Sequence, residues 1–113
     1  MKYRIALATY SGETIDLHFG RCTRFQVAEV TDNISWDYID EIDTGIACIG
    51  ECDHENISRV AEQLSSCKYV LASRIGPGAA RILLNNGVKA LEIENEIENA
   101  IEKLMAYDKV RSA

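Results

Sequence analysis

Tyr69-Val70-Leu71-Ala72-Ser73-Arg74-Ile75-Gly76-Pro77-Gly78-Ala79-Ala80 decides the fold class. Its first four residues are a continuous apolar run of strand length, the mark of a strand covered on both faces. Gly76 then breaks the run, and Pro77 has the fixed φ suited to the first position of a helix. That helix is expected to end near Asn86-Gly87, because glycine readily takes the left-handed conformation that closes helices. Val88 to Ile93 reads as a further strand, and Ile97, Ile101 and Leu104 mark a closing helix. Upstream, Ile57, Val60, Ala61 and Leu64 recur at helical spacing behind Asp53, a suitable N-cap. Strands alternating with helices in this way are expected to run parallel through right-handed crossovers.

The first half reads differently. Tyr3 to Thr9 is a short apolar strand, and Tyr10 to Arg24 is a polar stretch with turn residues at Ser11, Gly12 and Gly20. Phe25 to Val30 alternates apolar and polar, Asp32-Asn33 makes a turn, and Ser35 to Ile42 alternates again through Trp36, Tyr38, Asp40 and Ile42. These two runs predict a hairpin. Thr44 to Glu55 has no period and reads as a loop. The order β-β-β-α-β-α-β-α implies an α/β protein with a mixed sheet and helices on its faces, in one domain spanning 1–113.

The 113 residues include 18 acidic and 12 basic ones, so the net charge is 12 − 18 = −6. With no basic cluster, nucleic acid and anionic membrane are excluded as the expected partners. Hydrophobic residues make up 47%, enough for a real core. The uncharged run Ile5 to Thr9 is too short for a signal-peptide core or a membrane span, so a cytoplasmic location is expected. Thiols stay reduced there. Cys22, Cys48, Cys52 and Cys67 are therefore read as metal ligands, redox groups or core residues before structural disulfides.

Chemistry is expected beyond the carboxyl ends of the parallel strands. Three loops reach that rim: Tyr10–Arg24, Thr44–Asp53, and Ser73 to Gly78. Cys48, Cys52 and His54 fall within seven residues, close enough for two thiolates and an imidazole to meet on one metal, zinc included. The C-x3-C-x-H spacing matches no standard finger, and an incidental placement stays open. His18 precedes a Phe-Gly turn and either presents its ring outward or braces the turn; Cys22 is a neighbouring thiol or a small hydrophobe. Gly76 and Gly78 open a helix whose free N–H groups can cradle an anion, or they simply make a tight connection. The glutamates from Glu92 to Glu98 read as a solvated helix start.

Ile5-Ala6-Leu7-Ala8-Thr9, His18-Phe19-Gly20-Arg21, Val70 through Gly78, and Gly87-Val88-Lys89 together resemble the dinitrogenase iron–molybdenum cofactor biosynthesis family, which comprises NifX-like proteins and the carboxyl-terminal domain of NifB. The Cys48-x-Gly50-x-Cys52 loop and Cys67 look more like the NifB version. The resemblance implies a ribonuclease-H-like three-layer α/β/α fold with a five-stranded mixed sheet. It also implies that the chain binds or carries an iron–sulfur cluster, the iron–molybdenum cofactor or its precursor, among nitrogenase cofactor assembly proteins. His18 maps onto the histidine that the family is proposed to use at the cluster. Cys22 stands where many relatives have a small non-thiol residue. The chain has no C-x-x-x-C-x-x-C motif, so NifB's cluster-building chemistry is not expected of it. Nuclease activity is not expected either, since the strand Tyr3 to Thr9 has no carboxylate to hold metal ions.

An iron–sulfur cargo is anionic and prefers soft ligands, which suits thiolate and imidazole at iron and cationic donors around it. The expectation is thus a non-enzymatic carrier. His18, Cys48 and Cys52 are its candidate iron contacts, and His54 and Cys22 secondary ones. Arg21, Arg24, Arg74, Gly76 and Gly78 would surround the cargo. The alternative is a small zinc-binding or thiol-redox regulatory domain built on Cys48, Cys52 and His54.

Overall fold

The computed structural model describes residues 1–45, 48–49, 51–52 and 54–111, with the backbone alone at 48–49 and 51–52. The described residues form, in order, β1 (Lys2–Leu7), β2 (Arg24–Thr31), β3 (Ser35–Asp43), β4 (Cys48–Ile49), β5 (Glu51–Cys52), α1 (His54–Gln63), β6 (Tyr69–Ala72), α2 (Pro77–Asn85), β7 (Lys89–Glu92) and α3 (Ile97–Arg111). Five strands form one mixed sheet in the order β3-β2-β1-β6-β7. The β1–β2 and β2–β3 pairs are antiparallel, while β1–β6 and β6–β7 are parallel. This is the α/β class and mixed sheet that the alternation predicts. The Asp53 N-cap expectation lies outside the described residues.

Each face of the sheet carries its own core. Ala6, Val27, Val70 and Ala72 face α1 and α2 through Ile57, Val60, Ala61, Leu64, Ala79 and Leu83. Ile5, Leu7, Ala28, Val30 and Leu71 face α3 through Ile97, Ala100, Ile101 and Leu104. Successive strand residues point to opposite faces, and β1 and β6 are apolar on both because helices cover both. α2 closes as expected: Gly87, at φ 80°, lets Val88 N–H reach Leu83 O at 2.9 Å and Gly87 N–H reach Leu84 O at 2.9 Å.

Two findings differ from the pattern in the sequence. The stretch after Thr44 contains a very short hairpin, with Cys48 opposite Cys52 and Ile49 opposite Glu51. In β3, Val27 pairs with Asp40 and Ala28 with Tyr38, so Ile39 is an extra, unpaired residue. This β-bulge shifts the alternation by one. Trp36 packs with the α3-side core, whereas Ile42 packs with the opposite one. Regular alternation from Trp36 to Ile42 would have placed both on one face.

At the amino-terminal end of the parallel strands, Asp108 of α3 is wholly buried. Its carboxylate accepts hydrogen bonds from Lys68 Nζ at 2.6 Å, Tyr69 OH at 2.5 Å and Asn33 Nδ2 at 3.0 Å. Burial opposes its charge, but these donors outweigh that cost and hold the carboxyl down at about 2. Helix, sheet and hairpin turn are tied together there.

Candidate functional site

β1 and β6 are hydrogen-bonded through Ala8 N–H to Leu71 O, 2.9 Å, and beyond that point a third segment enters between them. Leu17 N–H donates to Ala8 O on one side (3.3 Å). On the other, Ser73 N–H donates to Leu17 O and Phe19 N–H to Arg74 O, both 2.9 Å. His18 is thereby bridged to Arg74 as a parallel strand pair. The sequence explains the wedge. Phe19 is buried and packs on Phe25 with ring centroids 5.8 Å apart, so its neighbour His18 is turned out to solvent. A single 3-10 turn, Phe19–Arg21, follows, closed by Arg21 N–H to His18 O at 3.0 Å.

This wedge forms one wall of a cleft of about 430 Å³ lined by His18, Phe19, Gly20, Arg21, His54, Ile57, Arg74 and the turn Gly76–Ala79. Both imidazoles, two guanidinium groups and the first turn of α2 thus meet at the carboxyl ends of the parallel strands. Phe19 and Ile57 give it an apolar floor. Pro77 has no N–H and Ala80 N–H bonds Gly76 O, so Gly78 and Ala79 carry first-turn N–H groups with no acceptor inside the helix. A side chain added at Gly76 or Gly78 would meet nothing within 4 Å, and neither glycine has a positive φ. Their lack of a side chain leaves room for a guest against the backbone. Glu92 holds the turn from below, accepting Ile75 N–H at 2.8 Å.

The structure divides the expected site residues. His18, His54, Arg21, Arg74, Gly76 and Gly78 share the cleft. The β4 backbone, Cys48–Ile49, lies beside the Phe19–Arg21 turn, and the register sets Cys52 opposite Cys48. The thiols of Cys48 and Cys52 lie outside the described residues. Arg24 is elsewhere: its guanidinium pairs with Glu41 at 3.7 Å and Asp43 at 3.6 Å on the β2–β3 surface. Cys22 is wholly buried in the core on the α1–α2 side. Burial pushes its thiol up to about 11, and its S–H donates to Arg24 O at 3.2 Å, so it stays a protonated core group outside the cleft. Cys67 is likewise buried, as a core residue. Nothing in the spacing of Glu92 to Glu98 marks Glu92 as the residue that reaches across to the neighbouring strand's turn.

Among the described residues no group of three or more His, Cys, Asp or Glu side chains is gathered to hold a metal ion. No helix among them is long and apolar enough to cross a membrane.

The arrangement defines a class: an α/β chain with an open, cationic, imidazole-bearing cleft at the carboxyl rim of its parallel strands. Residues 1–107 match the family described as dinitrogenase iron-molybdenum cofactor, and the chain belongs to that family. It is 30% identical over 107 residues to the FeMo cofactor biosynthesis protein NifB of Frankia alni, an alignment covering 90% of this chain and 21% of that protein. The chain therefore spans about a fifth of the length of this curated relative.

Solved structures agree on the fold. PH0822 superposes with a TM-score of 0.68 at 15% identity, covering 91% of this chain and 90% of that one. A NifB-like protein of the DUF35 family from Thermotoga gives 0.58 at 19% identity, covering 90% and 86%. A dinitrogenase-like protein from Methanocaldococcus jannaschii gives 0.58 at 10% identity, covering 94% and 90%.

Proposed function

We propose that this chain binds and carries an iron–sulfur cluster, the iron–molybdenum cofactor or its precursor, and hands it to nitrogenase cofactor assembly proteins in the cytoplasm without catalysing a reaction on it. The observation that carries this reading is the convergence of His18, His54, Arg21 and Arg74 on one cleft with the first turn of α2. Imidazole is a competent ligand for iron, and the two arginines with the helix start supply a local positive field in a chain of net charge −6. His18 is the first candidate iron contact and His54 a second. Cys48 and Cys52 are further candidates, given where β4 runs. An open cleft with few ligands suits release better than a closed four-cysteine cage.

With α1 and α2 on one face of the sheet and α3 on the other, the architecture fits the three-layer, ribonuclease-H-like description implied by the sequence resemblance. Anaerobic reconstitution with iron and sulfide, and separately with isolated cofactor precursor, tests the proposal. The expected result is a charge-transfer absorption band that weakens in His18→Ala and in Arg74→Gln while both variants stay folded. No band with either cargo, including in dithionite-reduced protein, would overturn it.

A further inference from the structure

A second concavity, sharing no residue with the cleft, lies on the α3 side of the sheet. This groove of about 520 Å³ is lined by Gly12, Glu13, Thr14, Trp36, Tyr38, Glu96, Ile97 and Glu98. Its aromatic wall comes from the regular register next to the hairpin turn, which sets Trp36 opposite Val30 and Tyr38 opposite Ala28, before the bulge at Ile39 turns Ile42 to the other face. The two rings meet edge to face, centroids 5.1 Å apart at 90°, and Tyr38 is 49% exposed. The acidic wall is built on fixed backbone. Ile97 N–H donates to Glu13 O and Ile15 N–H to Asn95 O, both at 2.8 Å, and Thr14 bridges Glu96.

None of the carboxylates of Glu13, Glu96 and Glu98 forms an ion pair among the described residues, whereas other carboxylates such as Glu29, Glu41 and Asp43 do. The positive end of α3 favours acidic residues at 96 and 98. It does not account for Glu13 on the other strand of the bridge, nor for an aromatic pair left half in water. Aromatic faces beside unpaired carboxylates select a cation, and a planar guanidinium best of all, since it stacks on a ring and bonds carboxylate together.

We propose that this groove docks an arginine-bearing, basic segment of a partner protein. A second copy of this chain is a poor occupant, because it brings net charge −6 and the exposed acids Asp37, Asp40 and Glu41 of the same strand. The groove is open and runs beside the exposed edge strand β3, which suits an extended segment better than an enclosed small molecule. This inference is independent of what the cleft carries.

Trp36 is the sole tryptophan, so its fluorescence reports on the groove directly. The probe is a capped Gly-Arg repeat peptide, with the same peptide carrying citrulline for arginine as a neutral isostere. The expected result is a saturable change in Trp36 emission with the arginine peptide and none with the citrulline peptide. The variant E13Q/E96Q/E98Q should weaken binding roughly tenfold or more. The variant E62Q/E94Q/E102Q, which removes the same charge elsewhere, should bind as the native chain does. Circular dichroism checks that both variants fold. Equal binding by the groove variant and the native chain, an equal loss in the control variant, or no response to the arginine peptide would overturn the proposal. So would saturation by tetramethylammonium at lower concentration than by the peptide, which would assign the groove to a small organic cation.

Discussion

Acidifying the native chain and Asp108→Asn side by side tests the buried knot that fastens α3 to the sheet. Asp108 titrates at about 2 in the folded chain against an ordinary 3.8, because Lys68, Tyr69 and Asn33 all donate to it. The folded state therefore keeps this carboxylate ionised where the unfolded chain has already taken up a proton. Its contribution is complete above the unfolded value and is lost as the pH falls through the folded one. A fall from 3.8 to about 2 corresponds to about 2 kcal/mol. Lys68 is 44% exposed, and solvent screening of its share reduces the expectation to about 1–2 kcal/mol. Asparagine removes the charge and can keep an acceptor oxygen for Lys68 and Tyr69 only by turning its N–H2 group toward the Asn33 donor, so the variant starts well below the native chain near neutral pH. Urea unfolding followed by Trp36 fluorescence at about pH 6 and about pH 2 measures the gap between the two proteins. It should narrow by about 1–2 kcal/mol on acidification. A gap of the same size at both values would refute a carboxylate held ionised by its donors.

Two further outcomes are expected. Phe19→Ala removes a fully buried ring packed on Phe25 and should cost about 3–5 kcal/mol of unfolding free energy. Hydrogen exchange should show the Phe19 amide, now bonded to Arg74 O, losing protection before the amides of β1; a globally uniform change would mean that Phe19 does not anchor the wedge in particular. Gly78→Leu places a side chain into open space at a helical position, so thermal unfolding should be unchanged or slightly later. Cluster uptake in the reconstitution assay should nevertheless fall, and unaltered uptake would show that the guest does not approach this turn.

Much of the fold is legible because local chemistry dictates it. The Asp32-Asn33 turn has both residues at positive φ, 55° and 52°, as a tight hairpin turn requires, and these residue types tolerate that backbone. Ile57, Val60, Ala61 and Leu64 bury the face their spacing predicts. What stayed hidden depends on partners distant in the chain. Nothing local in Leu17-His18-Phe19 announces that its backbone will pair with Ala8 and Ser73-Arg74. The Ile39 bulge is a matter of register between two strands, and one extra residue leaves no mark in a composition that alternates on either side of it. Asp108 falls where a helix pattern calls for an apolar residue, and only the convergence of three donors makes its burial tolerable. For the candidate site, loop position brings His18, Arg21, Arg74, Gly76 and Gly78 to one rim but does not separate them from Cys22, which the core takes. Charge type alone could not separate Arg74, which lines it, from Arg24, which neighbouring acids already occupy.

The wedge has a consequence for the order in which the molecule is made. As the chain leaves the ribosome, the β2–β3 hairpin can close on its own tight turn at Asp32-Asn33, whereas β1 meets β2 only across the segment that carries the wedge. His18 gains its second flank only when Ser73 and Arg74 emerge, more than fifty positions later, and deliver the carbonyl and amide that clasp it. A nascent chain halted before β6 therefore has its hairpin yet lacks both the Ser73–Arg74 clasp and the α2 turn that complete the cleft.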